Sequence, residues 1–153
     1  MADVLTVREL ARGDRDAWRP LWDGYNAFYG RAGATALPEA ITELTWERLF
    51  DPTEPVFALV AQRDDELVGL AHYIFHRTTT LQAPICYLND LFTAPAARGG
   101  GVGRALIEAV YARARAAGSA RVYWQTHETN AIAMRLYDEV ADRSGFLVYR
   151  KEL

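Results

Sequence analysis

Four glycines in five residues carry the clearest chemical signal in this chain. They sit in Arg98-Gly99-Gly100-Gly101-Val102-Gly103-Arg104. Removing side chains there lets successive backbone N–H groups converge on one anion, backed by the start of a helix. Arg98 and Arg104 add positive charge. The ligand that suits such a cup is a phosphate or pyrophosphate. A nucleotide P-loop ends in Gly-Lys-Ser/Thr, but here Gly103 is followed by Arg104 and Ala105. A dinucleotide fingerprint needs glycines at its first, third and sixth places. Counted from Gly99 the sixth place is Arg104, and from Gly101 it is Leu106. That fingerprint also wants an acidic residue about 20 positions on, and the strand-like stretch 121–126 offers none. The remaining alternative is a loop whose glycines only turn the chain. The amphipathic helix that they open argues against it.

The elements that must position this loop follow from hydrophobic periodicity. Residues 4–8 read as a short strand. Asp14 or Asp16 caps a helix in which Trp18, Leu21, Trp22, Tyr25, Phe28 and Tyr29 recur three or four apart, with Gly30 as its stop. Pro38 opens a second helix through Leu44 and Leu49, and Pro52 closes it. Residues 56–63 and 66–76 alternate as two strands about the turn Asp64-Asp65. Residues 85–93 form a third, between Pro84 and Pro95. The glycine loop then feeds a helix over 102–117, with Leu106, Ile107, Val110 and Ala114 on one stripe and Gly118 as its end. Residues 121–126 are strand-like. Residues 130–140 are helical, with Ile132, Ala133, Leu136, Tyr137 and Val140 on one face. Gly145 opens a final strand over 146–151. The order is strand, two helices, three strands, helix, strand, helix, strand. It describes one mixed α/β domain over 1–153.

Composition sets the outer bounds. Half of the 153 residues are hydrophobic and 24% are charged, which supports a packed core. A net charge of -3 argues against a sequence-independent nucleic-acid binder, which would need a basic face. Cys86 is the single cysteine, so no intrachain disulfide forms. The start MADVLTVREL has no apolar leader core, and no apolar run approaches spanning length. A soluble, cytoplasmic protein with no membrane partner is expected.

Arg98-x-x-Gly101-x-Gly103 resembles the acetyl-CoA signature of the GNAT acetyltransferase superfamily, Gln/Arg-x-x-Gly-x-Gly/Ala. Tyr87-Leu88-Asn89-Asp90-Leu91-Phe92-Thr93 is similar to that family's fourth strand. Trp124-x-Thr126-x-x-x-Asn130-x-x-Ala133-x-x-x-Tyr137 resembles its next motif. The likeness is close over the second half and follows the element order throughout. It implies a sheet whose central parallel strands splay apart, with acetyl-CoA wedged in the gap. The pyrophosphate would then meet backbone N–H groups of Arg98, Gly99, Gly100, Gly101, Val102, Gly103 and Arg104. The pantetheine arm would pair with Leu91, Phe92 and Thr93, and contact Asn130, Ala133 and Tyr137. Asn130 would cap its helix as well. A thioester oxygen near Leu91 or Phe92 would accept a backbone N–H. Residues 145–153 suffice for one strand, where the commonest members have two. That resembles the branch of small histone- and polyamine-acetylating enzymes. An exposed last strand invites pairing between subunits, so a homodimer is expected.

Acyl transfer to an amine needs a proton donor for the departing thiolate and a route for the amine's proton. Tyr137 is the candidate donor, because a phenol stays neutral at pH 7. Its spacing alone reads as a core aromatic, and the resemblance reverses that reading. Asp90 is the first candidate base and Glu128 the second. Polyamine-acetylating relatives often carry two acids at this strand; Asn89 replaces the first here, which weakens a polycation-specific reading. The acceptor is a small-molecule, peptide or protein amine. His72 and His76 lie about 13 Å apart on a strand, so no metal is expected. His127 reads as a solvated loop residue and Cys86 as a small buried hydrophobe. Of Trp22, Tyr25, Tyr29 and Trp46, most belong to the core and one or two line a pocket. A non-catalytic acyl-CoA sensor is the main alternative, and a nucleotide-binding protein the weaker one.

Overall fold

The alternating run from Val56 to His76 builds the centre of the sheet. The computed structural model describes residues 4–153. Strands β1 (Leu5–Glu9), β2 (Val56–Arg63), β3 (Glu66–His76), β4 (Ile85–Thr93) and β5 (Val122–Tyr123) lie side by side in chain order. Each of the first four is antiparallel to its neighbour, and β5 runs parallel to β4. Helices α1 (Arg15–Phe28) and α2 (Glu39–Arg48) come between β1 and β2. Helix α3 (Val102–Ala116) forms the crossover that the parallel neighbours β4 and β5 require, and α4 (Ala131–Val140) follows β5.

Period-two alternation gives the sheet two apolar faces. Ala58, Val60 and Leu70 meet Trp18, Leu21, Trp22, Tyr25 and Trp46 from α1 and α2. Leu59, Ala61, Ala71, Tyr73, Cys86 and Leu88 meet Val102, Leu106, Ile107, Val110 and Ala114 of α3. Leu136, Tyr137 and Val140 of α4 pack at the border of that second core. The two layers leave little room at Gly69. A Cβ there would fall 2.7 Å from Val102 Cγ1, 3.0 Å from Leu106 Cδ1 and 3.1 Å from the Phe92 carbonyl oxygen.

Three local expectations change. The strand read over 121–126 is paired only at Val122 and Tyr123. The strand read over 146–151 makes no ladder at all. It leaves α4 through an extended Ala141 and reaches no strand edge of its own chain, and a strand without a neighbour has nothing to bond. Asp14 and Asn130 stand at helix N-caps without capping through their side chains. Asp14 instead pairs with Arg8 at 2.7 Å and accepts the Ala11 N–H, while Asn130 Nδ2 donates to Thr126 Oγ1 at 3.2 Å. Among the described residues no helix is long and apolar enough to cross a membrane.

Close packing at Gly69 yields a test. Gly69→Ala should lower stability by about 2 kcal/mol, the usual cost of overpacking. The urea midpoint should fall with an unchanged slope. An unchanged midpoint would mean that α3 is not held against the sheet at this point.

Candidate active site

One extra residue in β4 decides which side chains face the α1 layer. His72 pairs with Asp90 across the β3–β4 ladder, yet the next residue, Tyr73, pairs with Leu88. Asn89 is therefore a bulge. Before it, Cys86 and Leu88 point into the α3 core. After it, Leu91 takes the α3 side and Phe92 the α1 side. The bulge flips the alternation, so Asp90 lies on the face of His72 and Trp18 instead of beside Leu88.

Asp90 is buried but fully partnered. His72 Nδ1 lies 2.9 Å from Asp90 Oδ2, and Asn89 Nδ2 donates to Asp90 Oδ1 at 2.7 Å. Trp18 Nε1 donates to His72 Nε2 at 3.1 Å. Indole N–H is only a donor, so Nε2 carries a lone pair and the imidazole proton sits on Nδ1, facing the carboxylate. Burial alone would push the Asp90 carboxyl up. The hydrogen bond and attraction of His72, with help from Tyr25 and Asn89, outweigh burial and hold it below the usual range. Asp90 is thus an anion in an apolar surround. The Tyr25 hydroxyl faces it and lies 3.4 Å from the Asn89 carbonyl oxygen.

These groups open on a cavity of about 460 Å³ under α1 and α2. Trp22, Tyr25, Arg31, Arg48, His72 and Asp90 are among its lining residues. Arg31 is held in place: its Nε donates to Asn26 Oδ1 at 2.7 Å, and Asn26 in turn donates to the Trp22 carbonyl. The guanidinium lies over the rings of Tyr25 and Tyr29. Among the described residues it pairs with no carboxylate. Arg48 has only a 3.8 Å approach to Glu54.

On the other side of β4 the sheet opens. Strand β5 pairs with β4 only at Cys86 and Tyr87, so the β4 edge from Leu88 to Thr93 faces no strand there. The glycine loop stands at the end of that edge. Gly99 and Gly101 adopt φ of 81° and 83°, which L side chains rarely accept. Among the described residues, the N–H groups of Gly99, Gly100 and Gly101 meet no acceptor. Arg98 lies over the Phe92 ring and donates to the Thr93 carbonyl. Arg104 turns instead to Glu139 of α4. A Cβ on Gly103 would come 3.3 Å from Leu136 and 3.9 Å from Thr93 Oγ1, so loop, α4 and β4 converge there.

Tyr137 follows Leu136 on α4 and meets Trp124 edge-on at 5.4 Å. Burial pushes its phenol up to about 12, with a smaller contribution from Tyr29. Burial and the Asp90 charge also push the Tyr29 phenol up. Ala133 is half-buried on α4. Glu128 is exposed on the turn after β5, beside His127, which bonds to Thr129. His76 is exposed and bonded to Tyr123, and Cys86 is buried with its thiol pushed up to about 11. His72 and Arg31 are the residues that sequence reasoning did not assign to the site. The pairing of His72 with Asp90 needs the strand register, and Arg31 shows itself only through the cavity it lines.

A mixed sheet opened between two parallel strands, with a glycine loop at the head of the following helix, is the architecture of an acetyltransferase. The chain belongs to the acetyltransferase (GNAT) family, whose model matches residues 18–141. It is 34% identical over 151 residues to the D-amino-acid N-acetyltransferase HPA3 of Saccharomyces cerevisiae, covering 97% of this chain and 91% of that protein. Its fold matches aminoglycoside N-acetyltransferase AAC(6')-Iy in complex with CoA, at a TM-score of 0.82 and 17% identity over 99% and 97% of the two chains. It also matches a ribosomal-protein-alanine N-acetyltransferase from Brucella melitensis biovar Abortus 2308, at a TM-score of 0.78 and 17% identity over 98% and 100%.

The Asp90–His72 contact has a signature in pH. Because the folded state holds Asp90 below the unfolded value of 3.8, the carboxylate adds stability above that pH and loses it as pH falls through the folded value. Near neutrality Asp90→Asn should cost about 2 kcal/mol, as befits a charged buried hydrogen bond. The gap between variant and parent should close in acid, read from urea midpoints between pH 2 and 7. A gap that stays constant down to pH 2 would show that Asp90 is not the stabilised anion.

Proposed function

We propose that the protein transfers an acetyl group from acetyl-CoA to the amine of a small amino acid. The observation that carries this reading is the cavity in which an ionised Asp90 and an unpaired Arg31 face the same space. An amino acid offers the complementary pair, an ammonium and a carboxylate. The 34% likeness to a D-amino-acid N-acetyltransferase supports the same class.

The residues present suit the donor. The free N–H groups of Gly99, Gly100 and Gly101 and the start of α3 fit a diphosphate, with Arg98 beside them. The open β4 edge at Leu91, Phe92 and Thr93 fits an arm that bonds like a strand. When bound, acetyl-CoA supplies an activated acyl carbon and a thiol leaving group.

The chain's own residues do the rest. Arg31 grips the acceptor carboxylate through charge-assisted hydrogen bonds. Asp90 receives the ammonium. Each Asp90 oxygen keeps a lone pair beyond its bond to His72 or Asn89. The ammonium has no lone pair, so it first gives one proton to bulk water and the small neutral fraction attacks; as nitrogen bonds to carbon its remaining protons become acidic, and the Asp90 carboxylate accepts one. His72 holds the carboxylate in place and shields its charge. Trp22 and Tyr25 offer aromatic faces to the cation. Tyr137 donates its phenolic proton to the departing sulfur. We assign the reaction to a reducing compartment, in keeping with the buried free thiol of Cys86.

An acceptor panel with thiol detection tests the reading. Amino acids of either hand should release free thiol faster than amines without a carboxylate. Arg31→Ala should lower kcat/KM for amino acids about 10- to 100-fold and leave carboxylate-free amines unchanged. Equal loss on both sets would remove Arg31 from acceptor recognition. Tyr137→Phe should slow kcat about 100-fold with acetyl-CoA affinity retained. In the parent enzyme no alkaline limb should appear at pH 10, because Tyr137 keeps its proton to about 12.

A further inference from the structure

Two residues beyond His72 the floor of the acceptor cavity turns apolar. Ile74 takes the face of His72, because residues two apart on a strand share a side. Across the ladder Ile74 pairs with Val56, as His72 pairs with Ala58. Helix α2 brings Ile41, Thr45 and Arg48, spaced four and three apart, to one face. All of these line the cavity that holds Asp90 and Arg31. Among the described residues, Ile41, Val56 and Ile74 belong to neither core of the fold. Ile41 is 43% exposed, and Val56 and Ile74 are half-buried. Such a concave β-branched wall gains by taking up an apolar group.

Charge narrows the choice of group. Ion pairs join Arg12 to Glu47, Arg15 to Glu43 and Arg19 to Glu39. Their order is opposite along the two helices, so α2 runs antiparallel to α1. Arg48 therefore lies toward the start of α1, whereas Arg31 follows its end. Arg48 has Glu54 at 3.8 Å as its counter-charge, and its side chain is half in solvent. A cationic group reaching this end would meet a like charge. An anionic group would compete with Glu54 and with water. An uncharged group meets only the apolar wall.

We propose that Ile41, Val56 and Ile74 form the subsite for the acceptor's side chain and select an uncharged aliphatic one, of the leucine or methionine kind. The inference rests on the amino-acid reading above. That reading assigns the amine to Asp90 and the carboxylate to Arg31, and this wall takes the third substituent.

Leucine should exceed alanine about 10- to 100-fold in kcat/KM, and should also exceed lysine and glutamate. The carboxylate-free pair isopentylamine and ethylamine should keep the same order, which reads the side chain apart from Arg31. Calorimetry of leucine and alanine with CoA present should show that order without turnover. Ile74→Asp should lower the leucine-to-glycine ratio of kcat/KM about 10-fold. Ile41→Asp, at an exposed helix position, should lower it too and serves if the strand variant fails to fold. A leucine preference with no advantage from a carboxylate would sink the amino-acid reading and support the subsite. Equal affinity and turnover for leucine and alanine, a preference for lysine or glutamate, or variants that keep the parent's ratio would overturn it.

Discussion

The bulge at Asn89 is the constraint on which the site depends. Without it, Asp90 would share the α3 face with Cys86 and Leu88, a carboxylate among Leu106, Ile107 and Val110. An unpaired charge buried there would cost far more than any single contact returns. With the bulge, the carboxylate meets an imidazole N–H, an amide and a phenol on the α1 face. The pair then works only because its own supports are fixed. Trp18, fully buried between Trp22 and Trp46, sets the His72 tautomer from behind. A residue of the hydrophobic core thereby decides where a proton sits in the cavity.

In the proposed reaction the two halves use different sides of β4. The acceptor cavity uses the α1 face, whereas the donor loop and Tyr137 belong with α3 and α4. Strand β4 serves both because one end pairs with β5 and the other does not. Opening the strands frees backbone groups for a ligand at no cost in side-chain chemistry. Gly69 and Gly103 set how close the layers come. Substituting either moves the donor side relative to the acceptor side.

Much of the fold was legible in the sequence because its strands are apolar runs bounded by turn residues. Strands β2, β3 and β4 fall where alternation and flanking turns place them, and α3 begins where the glycines end. The glycine loop was legible as a turn with free backbone N–H groups at the head of α3, because four glycines in five residues favour that geometry. Other features depended on information that periodicity lacks. A one-residue bulge leaves no mark in composition, so Asp90 was readable as a polar group but its partnership with His72 was not. Arg31 lies outside every motif and is defined by Asn26 and two tyrosines that fold around it. The strand expected over 146–151 is absent: its residue types favour a strand, but a strand exists only with a neighbour, and these residues have none within their own chain.

The cavity's chemistry turns on His72 holding an ionised Asp90 through its Nδ1 proton. Long-range proton–nitrogen NMR correlation on histidine-labelled protein at pH 7 reads that directly. For His72 it should show a protonated Nδ1 and a bare Nε2, with the Nδ1 signal lost from its hydrogen-bonded position in Asp90→Asn. A proton on Nε2, or a doubly protonated ring, would contradict the arrangement of Trp18, His72 and Asp90 from which the site is built.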